Sequence, residues 1–204
     1  NEMAYYNLGN ILISHGKSKE AEEYTRKAIL IMPKSAILHY NLGTILRDHG
    51  NSEESEIYLR KSIKLNPDLA EGFSNLGRVL IDQGKLKEAE EYTRKAIQIN
   101  PNYAIAYCNL GSILIEMIKL KEAEIFIRKS IELNPKIAEA YLNLGEIYKA
   151  YGKYNDAISL YNKSIDLDSN LSSARCSLIT CKGVICKWSD QKTQNNWLNE
   201  IGIK

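Results

Sequence analysis

Residues 75–101 read NLGRVLIDQGKLKEAEEYTRKAIQINP, and this pattern recurs along the chain with a period of 34 residues. Four prolines, five Asn-Leu-Gly triplets and four later glycines keep the same register. Such self-similarity predicts one supersecondary unit that is stacked about five times. The recurring residues are Pro33, Pro67, Pro101 and Pro135; the triplet glycines Gly9, Gly43, Gly77, Gly111 and Gly145; and the later glycines Gly16, Gly50, Gly84 and Gly152.

Each unit is predicted to be a pair of antiparallel α-helices. In the first unit Tyr5, Leu8 and Leu12 fall at helical spacing, and Gly16 is able to end the helix through a positive φ. A second apolar stripe follows and ends at Pro33, because proline cannot continue the hydrogen bonding of a helix. In most units the triplet glycine is predicted to face the alanine twelve residues later, so that the two backbones approach closely.

The order of Asn-Leu-Gly, Gly, Ala, aromatic residue, small residue and Pro resembles the tetratricopeptide repeat. The resemblance covers residues 1–171 as five repeats. It implies an all-α fold: a right-handed superhelical solenoid of stacked antiparallel helix pairs, with the first helix of each pair on the concave face. Three departures are not expected to disturb the fold: Ile118 replaces a later glycine, Ser55 replaces the alanine and Ser169 replaces the proline.

Residues 172–204 are predicted to form a degenerate sixth repeat, or a C-terminal capping helix and tail. Ala174 keeps the register of the repeat, but Ile179 stands where glycine is expected. We expect a helix from Ser172 to about Cys186 that covers the apolar end of the last full repeat. Because the sequence begins inside a first helix without a starting Met, it is expected to be a piece of a longer protein.

Composition excludes several classes of partner. The 204 residues include 27 basic and 25 acidic residues, so the net charge of +2 gives no strong field to attract nucleic acid or an anionic membrane. Apolar stretches are far shorter than the roughly 20 residues needed to cross a bilayer. Four cysteines are too few to staple the fold, which favours a reducing, cytoplasmic location. They are Cys108, Cys176, Cys181 and Cys186.

The best candidate for a binding site is the asparagine ladder, defined as the asparagine before each Leu-Gly pair. Each lies about 100° around the helix from the buried leucine and is expected to lie off the core. A carboxamide can pair with the N–H and C=O of any peptide bond, so the row would hold an extended polypeptide by its backbone. Alternatively, each asparagine bonds to the neighbouring repeat and only fixes the stacking. The ladder is Asn7, Asn41, Asn75, Asn109 and Asn143.

Two further rows on the first helices vary in residue type. Variation suits the selection of partner side chains, although an ordinary solvated face would vary in the same way. The rows are Asn10, Thr44, Arg78, Ser112 and Glu146, and Ile13, Arg47, Ile81, Ile115 and Lys149.

Recurring Arg-Lys pairs on the second helices are predicted to form an outer face with salt bridges rather than a site for nucleic acid. A glutamate precedes each arginine by four residues, which is the spacing that stabilises a helix. The arginines are Arg26, Arg60, Arg94 and Arg128, and their glutamates are Glu22, Glu56, Glu90 and Glu124.

No catalytic, metal or cofactor site is predicted, and the chain by itself is not expected to be an enzyme. The three C-terminal cysteines recur every five residues, so successive thiols lie about 140° apart and cannot converge on one metal. They are interpreted as small core residues. His15, His39 and His49 lack a second ligand or a nucleophile at usable spacing, and they are expected to be surface or packing residues.

The asparagine ladder and the run CKWSD at 186–190 together resemble the repeat region of the O-linked N-acetylglucosamine transferase family. The resemblance implies a substrate-recognition arm whose catalytic domain lies beyond residue 204. Three functions stay open from the sequence: a scaffold that binds extended peptides, the recognition arm of a glycosyltransferase, and a module that self-associates through the ends of the array or its convex face.

Overall fold

The computed structural model describes residues 2–185, without the side chains at positions 2, 3, 6, 10, 13 and 14. Within that range the chain forms eleven α-helices and no strand, joined by turns of three or four residues. The helices are α1 (Glu2–Ser14), α2 (Ser18–Ile31), α3 (Ala36–Asp48), α4 (Ser52–Leu65), α5 (Ala70–Asp82), α6 (Leu86–Ile99), α7 (Ala104–Glu116), α8 (Leu120–Leu133), α9 (Ala138–Ala150), α10 (Tyr154–Leu167) and α11 (Ser172–Ile185).

The helices pack as consecutive pairs. Each odd-numbered helix from α1 to α9 packs most closely against the helix that follows it, and each pair packs on the next pair. The odd-numbered helices, which carry the triplets, also stack on one another in sequence. The predicted all-α solenoid of helix pairs is therefore confirmed.

The turns inside the pairs depend on a left-handed backbone conformation. The later glycines have φ between 72° and 78°, and Ile118 adopts the same conformation with φ of 61°. A β-branched residue rarely takes this conformation, because its Cβ crowds the backbone. The isoleucine side chain is 82% exposed, so no packing within the described residues offsets the strain.

The triplet glycines let the two helices of a pair touch. A Cβ at Gly77 would lie 2.1 Å from Oγ1 of Thr93, and one at Gly111 would lie 2.3 Å from Cγ1 of Ile127. The nearest neighbour is thus the side chain sixteen residues later, whereas the predicted alanine contributes only its backbone carbonyl. A larger residue at Gly77 or Gly111 would therefore push the two helices apart, whereas a Cβ at Gly9 would meet no atom closer than 3.6 Å.

The last helix, α11, packs against α10 and buries Ala174 and Cys181. The helix predicted from Ser172 to about Cys186 is confirmed as far as Ile185, and Cys186 lies outside the described residues. Cys176 is exposed, so its interpretation as a core residue is wrong. Sequence spacing does not show which face of a terminal helix is covered, and only one face of α11 is. None of the described helices combines the length and the hydropathy needed to span a bilayer.

Candidate peptide-binding groove

The asparagine ladder runs along the odd-numbered helices from α1 to α9. The expectation that it lies off the core is wrong for three members, because the first helix of the preceding repeat lies beside them. Asn41, Asn75 and Asn109 are 6, 8 and 3% exposed, whereas Asn143 is half-buried and Asn7 is exposed.

The amide nitrogen of Asn75 is bonded to the preceding repeat. Its Nδ2 donates to Oη of Tyr40 at 3.2 Å and to Oγ1 of Thr44 at 3.1 Å. The Thr44 hydroxyl gives its own proton to the Tyr40 carbonyl oxygen, so it is left to accept from the asparagine. This arrangement fixes which side of the carboxamide faces the neighbouring helix.

Two later members of the ladder repeat this pattern. Nδ2 of Asn109 donates to Oγ of Ser74 at 2.9 Å, and Nδ2 of Asn143 donates to Oγ of Ser112 at 2.7 Å and to Sγ of Cys108 at 3.6 Å. All these acceptors lie 31 or 35 residues before their asparagine, on the first helix of the preceding repeat. The amide nitrogens therefore do fix the stacking.

The carboxamide oxygens of these asparagines are differently placed. Within residues 2–185, no hydrogen bond reaches Oδ1 of Asn75, Asn109 or Asn143. The fully buried side-chain polar atoms without a partner are Nδ1 of His39 and Oγ1 of Thr93, and the ladder oxygens are not among them. Each Oδ1 therefore keeps access to solvent while its nitrogen is held.

Three members of the ladder, Asn75, Asn109 and Asn143, line three neighbouring cavities. The first cavity has a volume of 460 Å³ and contains Asn75 and Asn109, and the second has 260 Å³ and contains Asn109 and Asn143. The third has 400 Å³ and again contains Asn143. Adjacent cavities share an asparagine in their linings, and the three together are called the groove. It is lined mainly by α5, α7 and α9, with side chains of α3 at one end and of α11 at the other.

Charged and apolar side chains form the walls of the groove. The third cavity contains Glu116 and Glu146. Burial acts to raise the pKa of Glu146, but hydrogen bonds from Lys149, Ser177 and Tyr161 outweigh burial and lower the pKa below its ordinary value. This end of the groove therefore presents an ionised carboxylate at neutral pH.

An ion pair crosses the groove between the first and second cavities. Nη2 of Arg78 on α5 lies 3.7 Å from Oε1 of Glu139 on α9, and both side chains line both cavities. The backbones of α5 and α9 make no direct contact, since α7 separates them. Cys108 is buried and lines the same two cavities. Burial above all, and then the charge of Glu139, raise the pKa of its thiol to about 12. The thiol is therefore neutral and unreactive at physiological pH.

The even-numbered helices carry an arginine ladder, defined as Arg26, Arg60, Arg94 and Arg128. The predicted pairs with the glutamate four residues earlier are confirmed, at 2.7 to 2.9 Å. The first three arginines also bind a glutamate of the next repeat, at 2.5 to 2.8 Å, and lie over an aromatic ring there. Sequence reasoning missed this second set, although its spacing of 28 and 32 residues is regular. Its members are Glu54, Glu88 and Glu122, with the rings of Tyr58, Tyr92 and Phe126.

Family models described as tetratricopeptide repeat match five consecutive segments, at residues 3–35, 36–69, 70–103, 104–137 and 138–171. The chain belongs to the tetratricopeptide repeat (TPR) family. TPR arrays bind proteins or peptides, so the chain is a protein-interaction scaffold. In consisting of such repeats, it resembles TPR scaffolds that have no catalytic activity.

Solved TPR structures share this fold at low sequence identity. The TPR protein TTC0263 of Thermus thermophilus is 18% identical, with a TM-score of 0.77 over 89% of this chain and 98% of that one. PilF of Pseudomonas aeruginosa is 22% identical, with a TM-score of 0.77 over 98% of this chain and 90% of that one. YrrB, a TPR protein with an unusual peptide-binding site, is 24% identical, with a TM-score of 0.59 over 87% and 91%. No curated protein matches the chain.

The structure also joins three residues of the first two TPR units that the sequence did not connect. Nε2 of His49 lies 2.7 Å from Oγ of Ser18, and its Nδ1 lies 2.9 Å from Oε2 of Glu22. The expectation that His49 has no nucleophile within reach is therefore wrong. In the next repeat Gln83 occupies the position of His49, and its Nε2 donates to the carbonyl oxygen of Ser52. Because a neutral amide joins the same helices there, the His49 bonds are interpreted as a link between repeats.

Within residues 2–185, no cluster of His, Cys, Asp and Glu side chains has the arrangement of a metal site. The run at 186–190, which carries the resemblance to the O-linked N-acetylglucosamine transferase family, lies outside the described residues.

Proposed function

We propose that this TPR array binds an extended polypeptide in its groove, and that the asparagine ladder holds the backbone of that polypeptide. The observation that carries the proposal is that the nitrogen and the oxygen of each carboxamide are differently bonded. Nδ2 of Asn75, Asn109 and Asn143 is bonded to the preceding repeat, and Oδ1 has no partner within the described residues. Each oxygen is thus an oriented acceptor for a backbone N–H.

The two interpretations of the ladder are therefore compatible. A side chain that is already held loses little conformational entropy when a ligand arrives, so pre-organisation favours binding. First helices about 10 Å apart and a strand that rises about 3.3 Å per residue would bring every third backbone N–H to an asparagine. Side chains that point away from the ladder would not affect these bonds, so binding would tolerate many sequences.

Similarity to YrrB supports the proposal at the level of the fold, since that protein has a peptide-binding site and the same array architecture. The size of the groove is a second support. Three cavities whose linings share asparagines lie along three consecutive repeats.

The test is the triple variant Asn75→Ala, Asn109→Ala and Asn143→Ala, titrated against a library of unstructured peptides by fluorescence anisotropy. Each lost hydrogen bond is expected to cost about 0.5 to 1.5 kcal/mol of binding free energy, for peptides of varied sequence. The control is Asn155→Ala with Asn162→Ala, which removes two exposed asparagines of α10. If the triple variant binds the library as tightly as the parent chain, the ladder is structural only.

A second set of variants separates the two roles of the carboxamide. Ser74→Ala and Ser112→Ala remove the acceptors that hold Asn109 and Asn143, yet keep both carboxamide oxygens. We expect a smaller loss of affinity than in the asparagine variant, at a similar loss of thermal stability. Equal losses of affinity would show that the asparagines act only through stacking.

The recognition arm of a glycosyltransferase is a second candidate function. It is favoured by the same ladder together with the run at 186–190, and it would use the groove in the same way. Determining the coding sequence that follows Lys204 tests it. An α/β glycosyltransferase sequence there would support the arm, whereas a stop codon would exclude it.

Self-association is a third candidate, because α11 leaves Val184 and Ile185 exposed at the end of the described array. Light scattering over a range of protein concentrations tests it. A molar mass that stays at that of the monomer would exclude it.

A further inference from the structure

The charges in the groove are unevenly distributed. The first cavity contains three cations, Arg47, Arg78 and Lys136, against the carboxylates of Glu139 and Asp168. The second cavity contains Arg78 with two carboxylates, and the third contains two glutamates. Positive charge is therefore concentrated over the part of the groove that Asn75 and Asn109 line.

Arg78 is the cation whose present partner is easiest to replace. Nη2 of Arg47 lies 2.7 Å from Asp48, whereas Nη2 of Arg78 lies 3.7 Å from Glu139. The Arg78 and Glu139 side chains are 43% and 45% exposed, and exposed ion pairs at this distance are weak. A guanidinium offers five donors, and a second carboxylate that made two short bonds to it would displace a single long contact.

The charges around Arg78 favour the binding of a negatively charged ligand group. Lys136 is exposed and lines the same cavity, and no ion pair of its Nζ occurs within residues 2–185. A cationic side chain that approached Glu139 there would meet both Arg78 and Lys136. A carboxylate would meet two cations after Glu139 swings into solvent.

We propose that Arg78 binds a carboxylate side chain of the polypeptide in the groove, and that Glu139 is an internal competitor for that site. This inference rests on the proposed peptide binding. Asn75 lies one helical turn before Arg78 on α5, and Asn109 lines the same cavity. The two asparagines hold the backbone of the bound polypeptide at this point. Arg78 then binds an acidic side chain of the same polypeptide.

The test uses three pools of unstructured peptides of roughly twelve residues, long enough to cross three first helices. The pools share random uncharged residues and differ only at the central position, which is Glu, Gln or Lys. Affinities are measured by fluorescence anisotropy at low and at high salt. The Gln pool reports on backbone binding alone, so failure of the proposed function and failure of this inference are distinguishable.

The chain is expected to bind the Glu pool about two- to fivefold more tightly than the Gln pool, and the Lys pool most weakly. Arg78→Gln should abolish this preference, so that the Glu and Gln pools bind the variant with equal affinity. Glu139→Gln should strengthen binding of the Glu pool by a similar factor, because the competitor is gone. High salt should reduce the preference, since the groove is open to solvent.

The matched control is Glu71→Gln. Glu71 occupies the position of Glu139 two repeats earlier, and the residue that corresponds to Arg78 there is Asn10. This variant should leave the order of the three pools unchanged.

Equal affinity for all three pools would overturn the inference and leave the proposed function standing. A preference for the Lys pool, or a preference for Glu that persists in Arg78→Gln, would also overturn it. Failure to bind any pool would overturn the proposed function, and this inference with it.

Discussion

The asparagine ladder and the arginine ladder follow the same period of 34 residues on opposite helices of each pair, and both join one repeat to the next. They differ in whether hydrogen-bonding atoms remain without a partner inside the protein. Each guanidinium nitrogen of Arg60 donates to a partner inside the protein, Nε to Glu56, Nη1 to Tyr92 and Nη2 to Glu88. Asn109 donates to Ser74 and keeps its Oδ1 in the groove.

This difference separates a structural row from a candidate binding row. Both recur with the same period in the sequence, so recurrence alone does not distinguish them. A side chain whose hydrogen-bonding capacity is satisfied within the protein has nothing to offer a ligand. A side chain that lines the groove and has only some of its polar atoms hydrogen-bonded is held in place and can still bond to a ligand.

The largest stability effect is expected from breaking the arginine ladder. Arg60→Ala with Arg94→Ala removes four partly exposed ion pairs and two cation–π contacts, which should lower the free energy of unfolding by about 1 to 2 kcal/mol in total. Urea unfolding measures this loss, and affinity for the peptide library should not change. Lys61→Ala with Lys95→Ala is the control, because it removes the same charge beside each arginine. A loss of peptide binding in the arginine variant would contradict the distinction between the ladders.

A stabilising change that touches neither ladder is Ile118→Gly. Glycine takes the left-handed conformation without strain, although it loses more entropy on folding, so a net gain of about 1 kcal/mol is expected. Urea unfolding measures the gain. Ile115→Gly, inside α7, should destabilise the chain instead. If Ile118→Gly also destabilises the chain, the exposed isoleucine makes a contact that the described residues do not contain.

Acid should weaken the arginine ladder before it affects the asparagine ladder. Partial burial acts to raise the pKa of Glu56 and of Glu90, but hydrogen bonds from Arg60 and Lys85, and from Arg94 and Lys119, lower both below their ordinary value of 4.5. Stability from these groups is present above the unfolded pKa and is lost as pH falls through the lower folded pKa.

The unfolding free energy should therefore fall as the pH drops below about 5. Measuring it across that range in Glu56→Gln with Glu90→Gln should give a shallower dependence. An unchanged pH profile in this variant would mean that other carboxylates carry the acid sensitivity.

The smallest effect is expected at a position where two repeats use different residues to make the same link to the preceding repeat. His49→Gln places in the second repeat the residue that the third repeat already has, and Gln83 bonds there to the backbone of Ser52. The free energy of unfolding should change by less than about 0.5 kcal/mol. A loss well above that would give the His49 bonds to Ser18 and Glu22 a role beyond linking repeats.

Most of the fold was predictable from the sequence. The helix pairs, the turns at the later glycines and the salt bridges from Glu56 to Arg60 depend on spacings within one unit. The partners of the triplet glycines were predicted less well: at Gly77 and Gly111 the alanine twelve residues later supplies only its carbonyl, while the side chain sixteen residues later comes closest. Packing between two helices depends on their crossing, which a pattern of residue types does not specify.

The candidate site was predictable in its residues but not in its geometry. The asparagine ladder lines the groove at Asn75, Asn109 and Asn143, although Asn75 and Asn109 are buried rather than off the core. The first variable row holds Arg78 and Glu146, both of which line the groove, but nothing in the sequence indicates that Arg78 meets a carboxylate two repeats away.

The period, the all-α class, the helix pairs and the positions of the polar rows can be deduced from the sequence, because they follow from the conformational preferences of residues near one another in the chain. Which polar atoms of those rows have hydrogen-bond partners is known only from the packing of the repeats. That outcome depends on how far each repeat is shifted and rotated relative to the last, and on side chains 28 to 61 residues apart, as from Arg60 to Glu88 and from Arg78 to Glu139. A repeating sequence fixes the unit, whereas the packing between units places Glu139 across the groove from Arg78.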